Sequence, residues 1–116
     1  MRSYLFIILF LTFLSAELIR PENDSQISYT HVLFEWDQAV DAVSYEIQVS
    51  TDNLFQNVLL SESVSSLIYI DKGHLDWDSQ YYWKIRPIYS NGASGDWTSE
   101  KTFSILSSVT DPTINL

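Results

Sequence analysis

Three carboxylates, Asp71, Asp76 and Asp78, crowd the stretch DKGHLDWD, and His31 and His74 are the chain's two imidazoles. Carboxylate oxygens on a loop suit calcium, but this spacing does not match the twelve-residue calcium loop. Neither histidine lies at a zinc-ligand spacing, and the chain has no cysteine to complete a soft-metal site. Asp71, Asp76 and Asp78 are therefore expected in a solvated turn, and the histidines at the surface. Asp37 and Asp41 flank another loop with the same expectation. Paired carboxylates that cleave glycosides face each other across roughly 5–10 Å of cleft, and a lone small domain offers no evident cleft. No Gly-x-Ser-x-Gly turn and no glycine-rich phosphate loop occur, and three glycines leave little means of bringing backbone close to a phosphate. No catalytic residue, metal or cofactor is expected.

Aromatic rings are the other candidates. YYWKIRPIYSNGASGDWTSEKTF, residues 81–103, holds Tyr81, Tyr82, Tyr89, Trp83 and Trp97. Rings in such a stretch either stack on sugars or fill a core. The alternation decides for most of them. Val32, Phe34 and Trp36 share one side of HVLFEW, and Leu33 and Glu35 the other. Val43, Tyr45, Ile47 and Val49 alternate with Ser44, Glu46, Gln48 and Ser50. Tyr81, Trp83 and Ile85 alternate with Tyr82, Lys84 and Arg86. A period of two in β-branched and aromatic residues marks a half-buried strand. Trp36, Tyr45, Tyr81 and Trp83 are thus assigned to the core. Trp77, Tyr82 and Tyr89 are left for the surface or its rim, and Trp97, after a glycine loop, is open between the two. Trp77, Tyr82, Tyr89 and Trp97 are the candidate ligand-facing aromatics.

NVLLSESV and SLIYI read as two further short strands, WTSEKTFSI as the last, and ELIRPEND as an edge strand broken by Pro21, where proline is tolerated. Turn signals separate them, including Gly73 in DKGH and Asn91-Gly92. Seven short strands at roughly 8–12-residue spacing imply an all-β fold, a seven-stranded antiparallel β-sandwich of immunoglobulin-like type.

The first sixteen residues, MRSYLFIILFLTFLSA, have one basic residue, an apolar run and then small residues, the layout of a secretory signal peptide. The run is shorter than the roughly 20 residues of a membrane span. The expected organisation is a signal peptide over 1–16, one domain over 17–106, and a tail or linker over 107–116. All fifteen acidic residues follow the leader, with five of the six basic ones, so the remainder is one unit more negative than the whole chain's −9. Such a surface repels nucleic acid and anionic membranes. Asn23-Asp24-Ser25 is a glycosylation sequon of use only to a eukaryotic source.

These strands, taken in order, resemble a fibronectin type III domain of the kind repeated in secreted bacterial proteins, over about residues 18–105. LIRPEND resembles its opening and VLFEW its second strand, with Trp36 as core tryptophan. DAVSYEIQVSTDNLFQNVL resembles the third strand and its turn, with Tyr45, Ile47, Val49 and Phe55 at the apolar positions. LDWDSQYYWKIRPI resembles the tyrosine-corner region, Leu75 leading into Tyr81, and SGDWTSEKTF the last strand, with Trp97 and Phe103. The resemblance implies that the Tyr81 hydroxyl bonds backbone a few residues upstream. Trp77 departs from the corner's usual proline. Pro87 sits near the end of a strand that should be internal, where pairing is expected to stop or bulge. No Arg-Gly-Asp occurs. The function implied is a non-catalytic secreted or cell-surface module, a spacer or protein-interaction domain. The alternatives are a carbohydrate-binding module or an accessory domain of a larger secreted enzyme.

Overall fold

The computed structural model describes residues 16–107; the leader expected over 1–16 and the tail over 107–116 lie, but for Ala16 and Ser107, outside them. Eight strands form: β1 (Leu18–Arg20), β2 (Ser25–Ile27), β3 (Val32–Trp36), β4 (Ala42–Ser50), β5 (Val58–Val64), β6 (Ile68–Asp71), β7 (Ser79–Tyr89) and β8 (Lys101–Ile105). Two sheets, ordered β1-β3-β6 and β2-β8-β7-β4-β5, pack face to face. No helix among the described residues is long and apolar enough to cross a membrane.

The sandwich is all-β, with eight strands where seven were expected. The extra strand comes from the N-terminal segment. β1 pairs with β3 in one sheet; the chain then passes Pro21 and pairs as β2 with β8 in the other. Proline has no N–H to continue a ladder, so the segment is split there. The β2–β8 pair is parallel, the exception to an otherwise antiparallel sandwich.

The inward faces follow the alternation. Val32, Phe34 and Trp36 of β3, Tyr45, Ile47 and Val49 of β4, Tyr81, Trp83 and Ile85 of β7, and Phe103 and Ile105 of β8 are all buried. Their rings meet edge to face. Phe34 lies 5.1 Å from Trp83 and 5.8 Å from Phe103, and Trp36 lies 5.7 Å from Tyr45. Such pairs contribute about 0.5–1.5 kcal/mol beyond their buried area. The corner tyrosine is in place: the Asp76 N–H donates to the Tyr81 hydroxyl at 2.8 Å. Beside it, Leu75 is buried.

Two features depart from the simple alternation, and a third concerns the pairing expected at Pro87. Val43 faces solvent, 55% exposed, because it is the extra residue of a bulge where Ala42 faces Tyr89 and Ser44 faces Ile88. Ser50 lies on the outer face as the period has it, yet is buried, because the 51–57 loop folds over it and its hydroxyl approaches the Asn57 carbonyl at 2.9 Å. Pro87 does not end its strand: it is buried and sits opposite Tyr45, and the expected bulge comes at the next pair, between Ala42 and Ser44. Its carbonyl accepts the Gly95 N–H at 2.8 Å, so the ring nitrogen also faces away from β4, and no ladder bond is lost there.

Candidate interaction surfaces

The short β3–β4 loop, the start of β4 and the end of β7 lie at one end of the sandwich, where Leu18 pairs beside Trp36. We call this the entry end. Ser79 pairs with Ile105 at the other, the exit end, together with the 51–57 and 72–78 loops. The four candidate aromatics divide between these regions. Tyr82 and Trp97 lie on the outer face of the five-stranded sheet, both half-buried. Trp77 is at the exit end, 43% exposed. Tyr89 is at the entry end. β7 rises about 33 Å from Ser79 to Tyr89, so Trp77 and Tyr89 cannot belong to one platform.

Trp97 is not a core residue. Residues 96–100 form no strand, and the final strand is confined to Lys101–Ile105. The segment is instead fixed to β7 by bonds outside a regular ladder. The Thr98 N–H donates to the Ile85 carbonyl at 2.9 Å, and the Ile85 N–H to the Thr98 hydroxyl at 3.2 Å. At Gly95 the backbone comes so close that a Cβ would meet the Pro87 ring at 2.7 Å. Trp97 then lies against two cations of β7: Lys84 Nζ is 4.7 Å and Arg86 Cζ 4.6 Å from its ring centroid. Lys84 also sits 4.1 Å above Phe55, and Arg86 Nε pairs with Glu46 at 2.6 Å. Phe55, Lys84, Trp97, Arg86 and Glu46 make one continuous row. Each cation–ring contact in such a setting contributes about 0.5–1 kcal/mol.

At the exit end the carboxylates of DKGHLDWD part company. Asp71, expected in a solvated turn, is buried. Its Oδ2 accepts the N–H groups of Gly73 at 3.3 Å and His74 at 3.0 Å, and its Oδ1 meets His74 Nδ1 at 2.5 Å. Burial without such partners would be costly. Asp78 accepts the Ser107 N–H at 2.9 Å. His74 is half-exposed and His31 exposed. No cluster of three metal-ligating side chains occurs among the described residues. Asp52, in the 51–57 loop, accepts the Gln56 and Asn57 N–H groups and is held below the usual carboxyl pKa, the Gln56 bond being the largest cause. In the sequon, Asn23 Oδ1 accepts the Thr102 N–H at 3.0 Å.

The entry end carries a feature the sequence did not single out. Val40, Asp41, Val43, Tyr89, Ser90 and Asn91 line an open cleft of about 490 Å³. Val40 and Val43 are more than half exposed. The signal for it was an aliphatic side chain, Val40, in an otherwise polar loop.

No protein-family profile and no curated protein matches the chain. Solved structures do. The chain is similar to a Fn3-like protein from Clostridium thermocellum, at 19% identity over 72% of this chain and 86% of that one, with a TM-score of 0.58. The chain has a fibronectin type III-like fold. Similarity to the protein FN3tt covers 78% of this chain and 96% of that one, at 15% identity and a TM-score of 0.54. Streptomyces avermitilis α-L-rhamnosidase, solved with L-rhamnose, matches at 14% identity and a TM-score of 0.54, over 78% of this chain and 10% of that far longer one. In all three the likeness is one of fold.

Proposed function

We propose that the chain is a non-catalytic β-sandwich module, secreted or displayed at a cell surface, that spaces its neighbours and offers a surface to protein partners. The observation that supports this best is the path of the chain. It enters beside Trp36 at one end and leaves beside Ser79 at the other. Modules joined through such ends extend in line, and a packed sandwich holds them apart. The leader-like residues 1–16 support export. Trp36 and Trp83 are fully buried and supply no binding face.

A second reading, an accessory or sugar-binding domain of a larger enzyme, draws on the likeness to a tenth of a rhamnosidase. Tryptophan fluorescence with acrylamide quenching, repeated against a panel of polysaccharides, separates the two. The module reading expects Trp77 and Trp97 to be partly quenched and no polysaccharide to change that. A polysaccharide that shields either ring, with the effect lost in Trp77→Ala or Trp97→Ala, would establish the second reading in its place.

A further inference from the structure

The entry-end cleft combines three properties that point to one kind of occupant. Part of its lining is apolar: Val40 and Val43 are 51% and 55% exposed, and Tyr89 lines the cleft with them, beside the polar Asp41, Ser90 and Asn91. Its charge is negative and unspent: the Asp41 carboxylate has no hydrogen-bond or ion-pair partner among the described residues. Asp37 is exposed on the same loop. Its frame is fixed. Gln38 Nε2 donates to the carbonyls of Ala39 at 2.9 Å and Ala42 at 3.1 Å. The Ala39 N–H donates to the buried Tyr45 hydroxyl at 2.9 Å. Across the cleft, Asn91 Oδ1 accepts the Ala93 N–H at 3.0 Å, and Gly92 holds the turn at φ 87°. An exposed valine on a braced loop, Val40, and one on the bulge at the start of β4, Val43, are not the by-product of a disordered tip. They persist because neighbouring bonds fix the backbone that displays them.

We propose that this cleft docks a lysine or arginine side chain of a polypeptide partner. A long basic side chain has an apolar stem and a cationic head. The stem matches Val40, Val43 and Tyr89, and the head matches Asp41. A second copy of this chain is a poor occupant, since its net charge of −9 repels its own acidic loops. A neutral sugar would leave Asp41 without a counter-charge. The proposal rests on the interaction-module reading and names the chemistry that the surface recognises.

The test is an amide-resolved NMR titration of the isotope-labelled full chain with four capped tripeptides, acetyl-Gly-X-Gly-amide, where X is lysine, arginine, norleucine or glutamate. The lysine and arginine peptides should move the amide signals of residues 40–43 and 89–91, and norleucine and glutamate should move them far less. Asp41→Asn should weaken the basic peptides by roughly two- to fivefold, the range of an exposed charge pair. Raising the salt should weaken them further. Asp41 sits at φ 64°, a conformation that asparagine also tolerates, so the variant keeps the loop. Val40→Ser, at an exposed position, should weaken lysine and norleucine alike. Shifts of equal size for lysine and norleucine, shifts centred elsewhere, or an unchanged response in Asp41→Asn would overturn the proposal. A silent cleft together with a silent polysaccharide panel would sink the docking chemistry and leave the spacer reading standing, whereas a polysaccharide response would sink the spacer reading itself.

Discussion

The two ends of the sandwich use several of their loop aspartates in opposite ways, although Asp76 at the exit end, like Asp41, has no side-chain partner among the described residues. At the exit end, Asp71 binds two backbone N–H groups and a histidine, Asp52 binds the backbone of its own loop, and Asp78 binds the chain as it leaves. At the entry end, the carboxylates of Asp37 and Asp41 have no partner among the described residues, and the loop is braced by neutral groups, Gln38 and Tyr45. A carboxylate that completes a turn is part of the fold. A carboxylate on a turn already completed by other groups is available to something else. The difference separates structure from surface chemistry at positions whose residue types look the same.

The largest effect expected is on the core that supports the entry end. Trp36 is buried against Tyr45, whose hydroxyl braces the 37–42 loop. Trp36→Ala should cost about 3–5 kcal/mol by opening a cavity, out of the roughly 5–15 kcal/mol available to a small domain. Chemical denaturation measures it, and a loss below about 1 kcal/mol would contradict the inward packing. Trp36 Nε1 is buried without a partner among the described residues, and an unmade bond of this kind costs about 1–3 kcal/mol. Trp36→Phe removes that donor along with part of the ring, so it should lose clearly less than alanine.

The contrast between the ends is tested next by removing one carboxylate at each. Asp71→Ala should cost about 1–3 kcal/mol, since it strands turn amides that the carboxylate serves. Asp41→Asn should change stability by no more than about 0.5 kcal/mol, as surface substitutions away from such networks do. Equal losses at the two sites would mean that the entry-end loop depends on its carboxylate after all. Between these lies Tyr81→Phe, which removes one acceptor from the Asp76 N–H and should cost about 0.5–1.5 kcal/mol.

What the alternation could show is the face of each regular strand. Phe34, Ile47 and Trp83 were legible because each lies in an unbroken run whose inward side has one neighbour above and one below. Val43 was not, because the period cannot register one inserted residue, and the bulge at that point turns the side chain out. Trp97 was not, because residues 96–100 are held by side-chain and irregular backbone bonds and by two cations of β7, none of which repeats along the sequence. Asp71 reads as one more acidic turn residue until its partners are known, and two of those are backbone amides, which every residue but proline carries. The cleft beside Asp41 was out of reach for a related reason. Its two walls come from loops some fifty positions apart, and only the pairing of Ala42 with Tyr89 brings them together.

The smallest effect is the most local. The Asp52 carboxyl is held below its ordinary value, first by the Gln56 N–H and then by the Asn57 N–H, the Ser50 hydroxyl and Leu54, against partial desolvation. A lowered folded-state pKa means that its contribution is fully present above the unfolded value of about 3.9 and is lost as the pH falls through the lowered one. The amide signals of Gln56 and Asn57 should therefore titrate in acid with a midpoint below about 3.9, and Asp52→Asn should abolish that step. The midpoint itself decides the matter. At or above the ordinary value, the carboxylate would not be holding the loop's amides, and the 51–57 loop would owe its aspartate no more than the entry-end loop owes Asp41.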